Sequence, residues 1–199
     1  MGKFTIRELV LCGLFIALIT IGTLIRIPIG SDFYTLQFLF TLLAGLVLGA
    51  RLGALAVAAY VLLGLIGVPV FASGGGPAYL VQPTFGYLLG FVVQAWFCGR
   101  CARRLHKISL RSLLAVNTGG LAIVYAIGIS WFYVVSNYVI DAPIGFWAAI
   151  FYCGILQAGP DFLLCAAAAG LAYRCYRAGL WLSMSAQPVR TAADEAKEA

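Results

Sequence analysis

Charge is scarce in this chain: Asp, Glu, Lys and Arg make up 10% of its 199 residues. A water-soluble domain carries charge at about a quarter of its positions, so a soluble globule is excluded. Histidine occurs once, at His106, which argues against zinc sites and histidine-based catalytic pairs. There is no G-x-x-x-x-G-K-[ST] stretch, hence no phosphate loop and no recognisable ATP site. Asp161 is the only acid inside an apolar segment, and no serine–histidine arrangement is visible. An intramembrane hydrolase or metalloenzyme needs at least one of these groupings. The absences favour binding over catalysis, with no metal and no other cofactor.

What is present is apolar. Hydrophobic residues make up 63% of the chain and the mean hydropathy is +1.00, which describes a polytopic membrane protein. The net charge of +6 does not indicate nucleic acid, because the basic residues neither cluster with aromatics nor occupy one amphipathic face. They fall at segment ends, where they report topology. Cys12, Cys153, Cys165 and Cys175 lie in apolar runs and behave as small hydrophobes. Cys98-Gly99-Arg100-Cys101 has redox-motif spacing, but it ends a membrane helix rather than joining a strand to a helix.

Six membrane helices are expected. Lys3 and Arg7 precede an apolar run over residues 9–25, too long for a signal peptide and without a convincing cleavage site. A short polar turn at 26–32 leads to a second span at 35–49, a basic turn at 49–53 and a third span ending near 67. The fourth covers 87–99 and the fifth 113–136. Residues 145–177 are apolar enough for one helix, but at about 1.5 Å per residue that helix would be near 50 Å long against a hydrocarbon core of about 30 Å. A break at Gly159-Pro160-Asp161 is therefore expected, with a short, partly inserted helix at 144–156 and a sixth span at 160–177. Two regions follow: a membrane domain over residues 1–180 and a polar, disordered tail over 181–199.

With six spans, both termini share a side with Lys3, Arg7, Arg51, Arg100, Arg103, Arg104, Lys107, Arg111, Arg174 and Arg177. The positive-inside rule makes that side cytoplasmic, in a plasma-membrane protein. The opposite side receives Asp32, Asn137, Asp141, the Asp161 end of the last span and an uncharged segment, residues 68–87. That segment contains Gly74-Gly75-Gly76 between Pro69 and Pro77, with Phe71, Tyr79, Gln82, Thr84 and Tyr87. Glycine and proline preclude a helix there, and irregular backbone at membrane depth is tolerated where it is buried in protein or lines a polar cavity. It is either an outward-facing ligand loop or a plain surface hairpin. Asp161 marks a site facing a cavity or stabilises the start of the last helix. Arg26 meets a ligand carboxylate or sits at the headgroup boundary. Trp131 and Tyr133 line a pocket or anchor the interface. Gly13 and Ala17 place small residues on one face of the first helix, where another helix can approach closely.

Six motifs occur in order: Thr35-Leu36-Gln37, Leu48-Gly49-Ala50-Arg51-Leu52-Gly53-Ala54, Gly64-Leu65-Ile66-Gly67-Val68-Pro69-Val70-Phe71, the glycine triplet, Pro83-Thr84-x-Gly86-Tyr87-Leu88-x-Gly90-Phe91 and Gly159-x-Asp161. As an ordered set over residues 5–178 they resemble BioY, the biotin-binding S component of energy-coupling factor (ECF) vitamin transporters. The resemblance implies a six-helix protein that captures biotin from outside and works with a transmembrane coupling protein and two cytoplasmic ATPases. It implies a vitamin site drawn from the loop over residues 71–84, with Phe71, Gly75, Gly76, Tyr79, Gln82 and Thr84, and from Tyr87 and Asp161; Gln37 of the first motif and Trp131 of the fifth span complete the candidate set. It also implies a coupling-protein face at Gly13 and Ala17, similar to the Ala-x-x-x-Ala face of such components.

Two departures stand near that site. Members often read Asp-x-x-Lys at the start of the last helix, and this chain has Asp161-Phe162-Leu163-Leu164. The usual proline before Thr35 is replaced, with Phe33 and Tyr34 there instead. The first departure motivates a second reading, an S component for another small vitamin or a biotin-like or lipoate-like acid. A third reading, a membrane enzyme acting on lipid, requires catalytic pairs that the sequence does not supply.

Overall fold

The first apolar run becomes a helix whose start is capped. Thr5 Oγ1 accepts the Glu8 backbone N–H at 3.3 Å and the Glu8 carboxylate accepts the Thr5 backbone N–H at 2.8 Å, satisfying two otherwise orphaned donors. Helix α1 covers Ile6–Leu24. The computed structural model describes residues 5–29, 32–105 and 107–179. Within them follow α2 (Gln37–Leu48), α3 (Ala50–Leu65), α4 (Phe85–Ala102), α5 (Leu110–Tyr138) and α6 (Phe146–Arg177). Six apolar helices with a glycine-rich segment between the third and fourth is the expected fold. Four of them, α1, α4, α5 and α6, are long and apolar enough to cross a membrane, whereas α2 and α3 are shorter. His106 and the tail expected over 181–199 lie outside the described residues, as do the side chains of Arg26, Asp32, Phe33 and Tyr34.

The local structure differs from expectation in three places. The polar turn at 26–32 is part of a two-stranded antiparallel ribbon, β1 (Arg26–Ile29) and β2 (Asp32–Thr35), with Arg26 opposite Thr35. Ile27, Ile29, Phe33 and Tyr34 are residues of high strand propensity, and Gly30-Ser31 between them has turn composition. The basic turn expected over 49–53 shrinks to Gly49. Its φ of 86° lies where side-chain-bearing residues are disfavoured, and Arg51 and Gly53 already belong to α3.

The third difference is the largest. The break expected at Gly159-Pro160 does not occur, and Pro160 sits inside α6. The irregularity lies one turn earlier, in a π-helical turn at Phe151–Ile155 where the Leu156 N–H reaches the Phe151 carbonyl. Proline removes a donor and crowds the carbonyl four residues before it. Membrane helices tolerate proline where the surrounding protein or local adjustment takes up the freed carbonyl, and α6 continues through Pro160. A 32-residue helix exceeds the hydrocarbon thickness, and such a mismatch is met by tilt or by extension beyond it.

Small residues bring the helices together, as they do where lipid removes the hydrophobic drive for helix association. A Cβ at Gly90 would lie 3.0 Å from Val124 Cα, and one at Gly128 would lie 2.6 Å from the Tyr87 ring, so α4 and α5 pack at close range. Gly45, Gly53 and Gly99 do the same for α2, α3 and α4. The core runs through this junction, with Leu42, Leu46, Val57, Tyr60, Ala95 and Leu113 buried. Helix α2 contacts α1, α4 and α6, which places Gln37 and Phe38 at the centre of the bundle.

Candidate ligand cavity

The segment between α3 and α4 is not a free hairpin. Its backbone is tied down where glycine permits: Gly76 N–H reaches the Gly64 carbonyl at 2.7 Å, and Phe71 and Gly74 exchange two backbone hydrogen bonds at 2.9 and 3.2 Å. Gly76 has φ 112°, a conformation other residues rarely adopt. The Phe71 ring, 2% exposed, stacks 4.5 Å from Tyr79 and edge-on at 5.6 Å to Tyr60. A Cβ at Gly64 would fall on that ring. Pro77–Val81 then forms a short 3-10 turn, and the Trp131 indole N–H donates to the Gln82 carbonyl at 3.3 Å.

Behind this segment lies a cavity of about 560 Å³. Ala72, Ser73, Tyr79 and Thr84 form one wall; Gln37 and Phe38 of α2, Tyr87 and Phe91 of α4, Val124 and Tyr125 of α5, and Tyr152, Gln157 and Asp161 of α6 complete it. Asp161 is the only charged side chain among the described residues of that lining. Its Oδ2 accepts the Tyr125 hydroxyl at 2.6 Å. A carboxylate has about four acceptor positions, so capacity remains for ligand N–H donors. The Tyr87 hydroxyl donates to the Cys153 carbonyl at 3.2 Å, fastening α4 to the π turn. Asn137 holds the α5–α6 connection: its amide donates to the Ile144 carbonyl at 3.2 Å and its Oδ1 accepts the Ile144 N–H at 3.2 Å. Ile144 thereby joins the lining.

The sequence-derived residues divide into two groups. Gln37, Tyr79, Thr84, Tyr87 and Asp161 border the cavity. Phe71, Gly75, Gly76, Gln82 and Trp131 lie outside its lining and shape the segment behind it. A Cβ at Gly75 would run into the Val68 carbonyl, and Trp131 packs on Phe85 at 5.6 Å. Tyr133 packs on Phe146 at 5.8 Å and is also outside the lining. Gly13 and Ala17 are both exposed on α1, with nothing within 4 Å of a Cβ placed at Gly13. Sequence reasoning missed Tyr125, Tyr152 and Gln157. Gln157 stands four residues before Asp161 and so shares its helix face, a signal that the expected break at Gly159 hid. Tyr125 had only its polar hydroxyl within an apolar run to mark it.

The cavity can hold a small, largely apolar molecule against aromatic side chains, with amide, hydroxyl and carboxylate groups to orient it. A second groove, about 610 Å³ where α1 meets α2 and α6, has a nearly wholly apolar lining with Arg7 as its one charge. It lacks polar groups to orient a small polar molecule.

Similarity to known proteins follows the same lines. The chain is 38% identical over 171 residues to a protein named probable biotin transporter BioY from Lysinibacillus sphaericus, covering 85% of this chain and 87% of that one. It is 46% identical over 136 residues to the biotin transporter BioY of Thermotoga maritima, covering 68% and 78%. In fold it resembles the crystal structure of the S-component for biotin from an ECF-type ABC transporter, with a TM-score of 0.74, 23% identity, and coverage of 88% of this chain and 95% of that one. The family model described as BioY family matches residues 1–180, and the chain belongs to the BioY family.

Proposed function

We propose that this protein is the membrane S component of a biotin uptake system, capturing biotin from the extracellular side and passing it inward with an ECF coupling protein and two cytoplasmic ATPases. The observation that carries this reading is the aromatic cavity with one carboxylate, Asp161, oriented by the Tyr125 hydroxyl at 2.6 Å. Biotin's ureido ring offers paired N–H donors that suit a carboxylate, and its apolar body suits Phe38, Tyr79, Tyr87 and Phe91. Gln37, Thr84 and Gln157 are placed to add polar contacts. Phe71, Gly75, Gly76, Gln82 and Trp131 act by shaping the wall. The names of the relatives and the S-component fold support the same ligand and the same class of transporter.

Both termini are cytoplasmic in this reading, supported by the basic residues on that side. The glycine-rich segment then faces outward, residues 1–180 form the binding domain, and 181–199 form a cytoplasmic tail. Gly13 and Ala17 offer the coupling protein an uncovered small-residue face. The absence of a phosphate loop fits a chain whose energy comes from partner ATPases.

A second reading, an S component for a related acid such as a lipoate-like molecule, is favoured by Leu164. That side chain packs against the core, so the position supplies no cation. A thermal-shift panel with biotin, dethiobiotin and lipoate separates the two, because a ligand of the folded state raises the apparent midpoint with concentration. The largest shift is expected with biotin. A shift with lipoate and none with biotin transfers the function to the second reading.

A further inference from the structure

Tyr60 lies on α3, outside the cavity lining, yet it is fully buried and its hydroxyl meets three separate elements. It donates to the Val70 carbonyl of the glycine-rich segment at 2.9 Å. It accepts from Gln37 Nε2 of α2 at 3.1 Å. Thr23 Oγ1 of α1 is 3.0 Å away and also 2.9 Å from the Ile19 carbonyl. A tyrosine hydroxyl has one hydrogen. With that hydrogen on Val70, Thr23 is the donor to Tyr60, sharing its own hydrogen with Ile19. Val70, Gln37 and Thr23 are themselves 7%, 6% and 0% exposed, so water offers little substitute for any of these bonds.

We infer that the Tyr60 hydroxyl is a positioning group that presets the outer wall of the cavity before ligand arrives. It fixes the start of the segment at Val70, one residue before the buried Phe71 and two before Ala72, the first wall residue of the cavity. The same hydroxyl orients the amide of Gln37, which borders the cavity from α2. One buried atom therefore ties together two parts of the lining that are built on different elements. Ordering the segment in advance removes that entropic cost from binding, and affinity gains accordingly. The assignment rests on the cavity being the ligand site.

The first test needs no ligand. In the unliganded wild-type protein, amide hydrogen exchange should find Phe71, Gly74 and Gly76 protected, and Tyr60→Phe should accelerate their exchange at least roughly 10-fold while α5 stays as protected as before. Free exchange of these amides in the wild type would overturn the proposal, whatever the ligand. The second test is binding of biotin: Tyr60→Phe should raise the dissociation rate about 10-fold with association changed less than about 3-fold. Thr23→Val, which keeps the Tyr60–Val70 bond, should stay within about 2-fold of wild type. Equal losses in both variants, or a uniform loss of protection across all helices, would reduce Tyr60 to an ordinary packing residue and overturn the assignment. Protection as expected without any biotin binding would retain the positioning role and refute the ligand.

Discussion

On one side of the cavity the glycine-rich segment is fastened by the Tyr60 hydroxyl, by the Gly76–Gly64 backbone bond and by aromatic stacking, and Phe71 and Tyr79 are only 2% and 8% exposed. On the other side α6 presents Tyr152, Gln157 and Asp161 around a π-helical turn and a proline, and there Tyr152 and Leu156 are 59% and 63% exposed. The irregular segment thus keeps its aromatic anchors Phe71 and Tyr79 buried, whereas α6 leaves Tyr152 and Leu156 uncovered around its π turn. Whether a segment is helical says little about how firmly it is held; the number of buried partners says more. Shape is set on the segment side, while the only charge in the described lining stands on the α6 side.

That contrast can be broken at either wall. The largest effect is expected from Asp161→Asn, which replaces an acceptor-only group with an amide: loss of a charge-assisted bond of up to about 3 kcal/mol weakens biotin binding roughly 100-fold in calorimetric titration. Unchanged affinity would remove Asp161 from the site. Next is Gly64→Ala on the segment side. Its Cβ falls on the buried Phe71 ring, and overpacking of this kind costs about 2 kcal/mol, measured as a lower thermal midpoint with binding weakened in parallel.

Tyr125→Phe keeps the ring but removes the hydroxyl that orients Asp161, and about 10-fold weaker binding with a nearly unchanged midpoint is expected. A large drop in the midpoint instead would make the Tyr125–Asp161 bond structural. The smallest effect is expected from Gly170→Ala on α6. Nothing lies within 4 Å of the added Cβ, and alanine is favoured over glycine in a helix by up to about 1 kcal/mol. The midpoint should rise slightly or hold, against the fall at Gly64. A fall at Gly170 as large as that at Gly64 would mean that α6 is packed as tightly as the segment side.

The same contrast explains what could be read from residues alone. Apolar run length gives the six helices, because every spanning segment must satisfy its own backbone in lipid. The glycine triplet and Asp161 stand out because each is costly in an apolar setting, and Asp161 does border the cavity. The course of α6 was not legible: Gly159-Pro160 reads as a stop, and a π turn such as Phe151–Ile155 has no residue code that announces it. Tyr125 and Tyr60 were hidden for a different reason. Each is one aromatic among many in an apolar helix, and its role depends on which way that helix is rotated against its neighbours. The β1–β2 ribbon was too short for strand periodicity to separate it from a turn.

The most direct measurement is titration of the detergent-purified protein with biotin by calorimetry, without ATP or partner subunits. Tight binding of one biotin per chain is the expected result, and it would establish the cavity as complete without a lysine at position 164. No heat and no saturation with folded protein would contradict the account and leave a BioY-family fold whose ligand is another molecule.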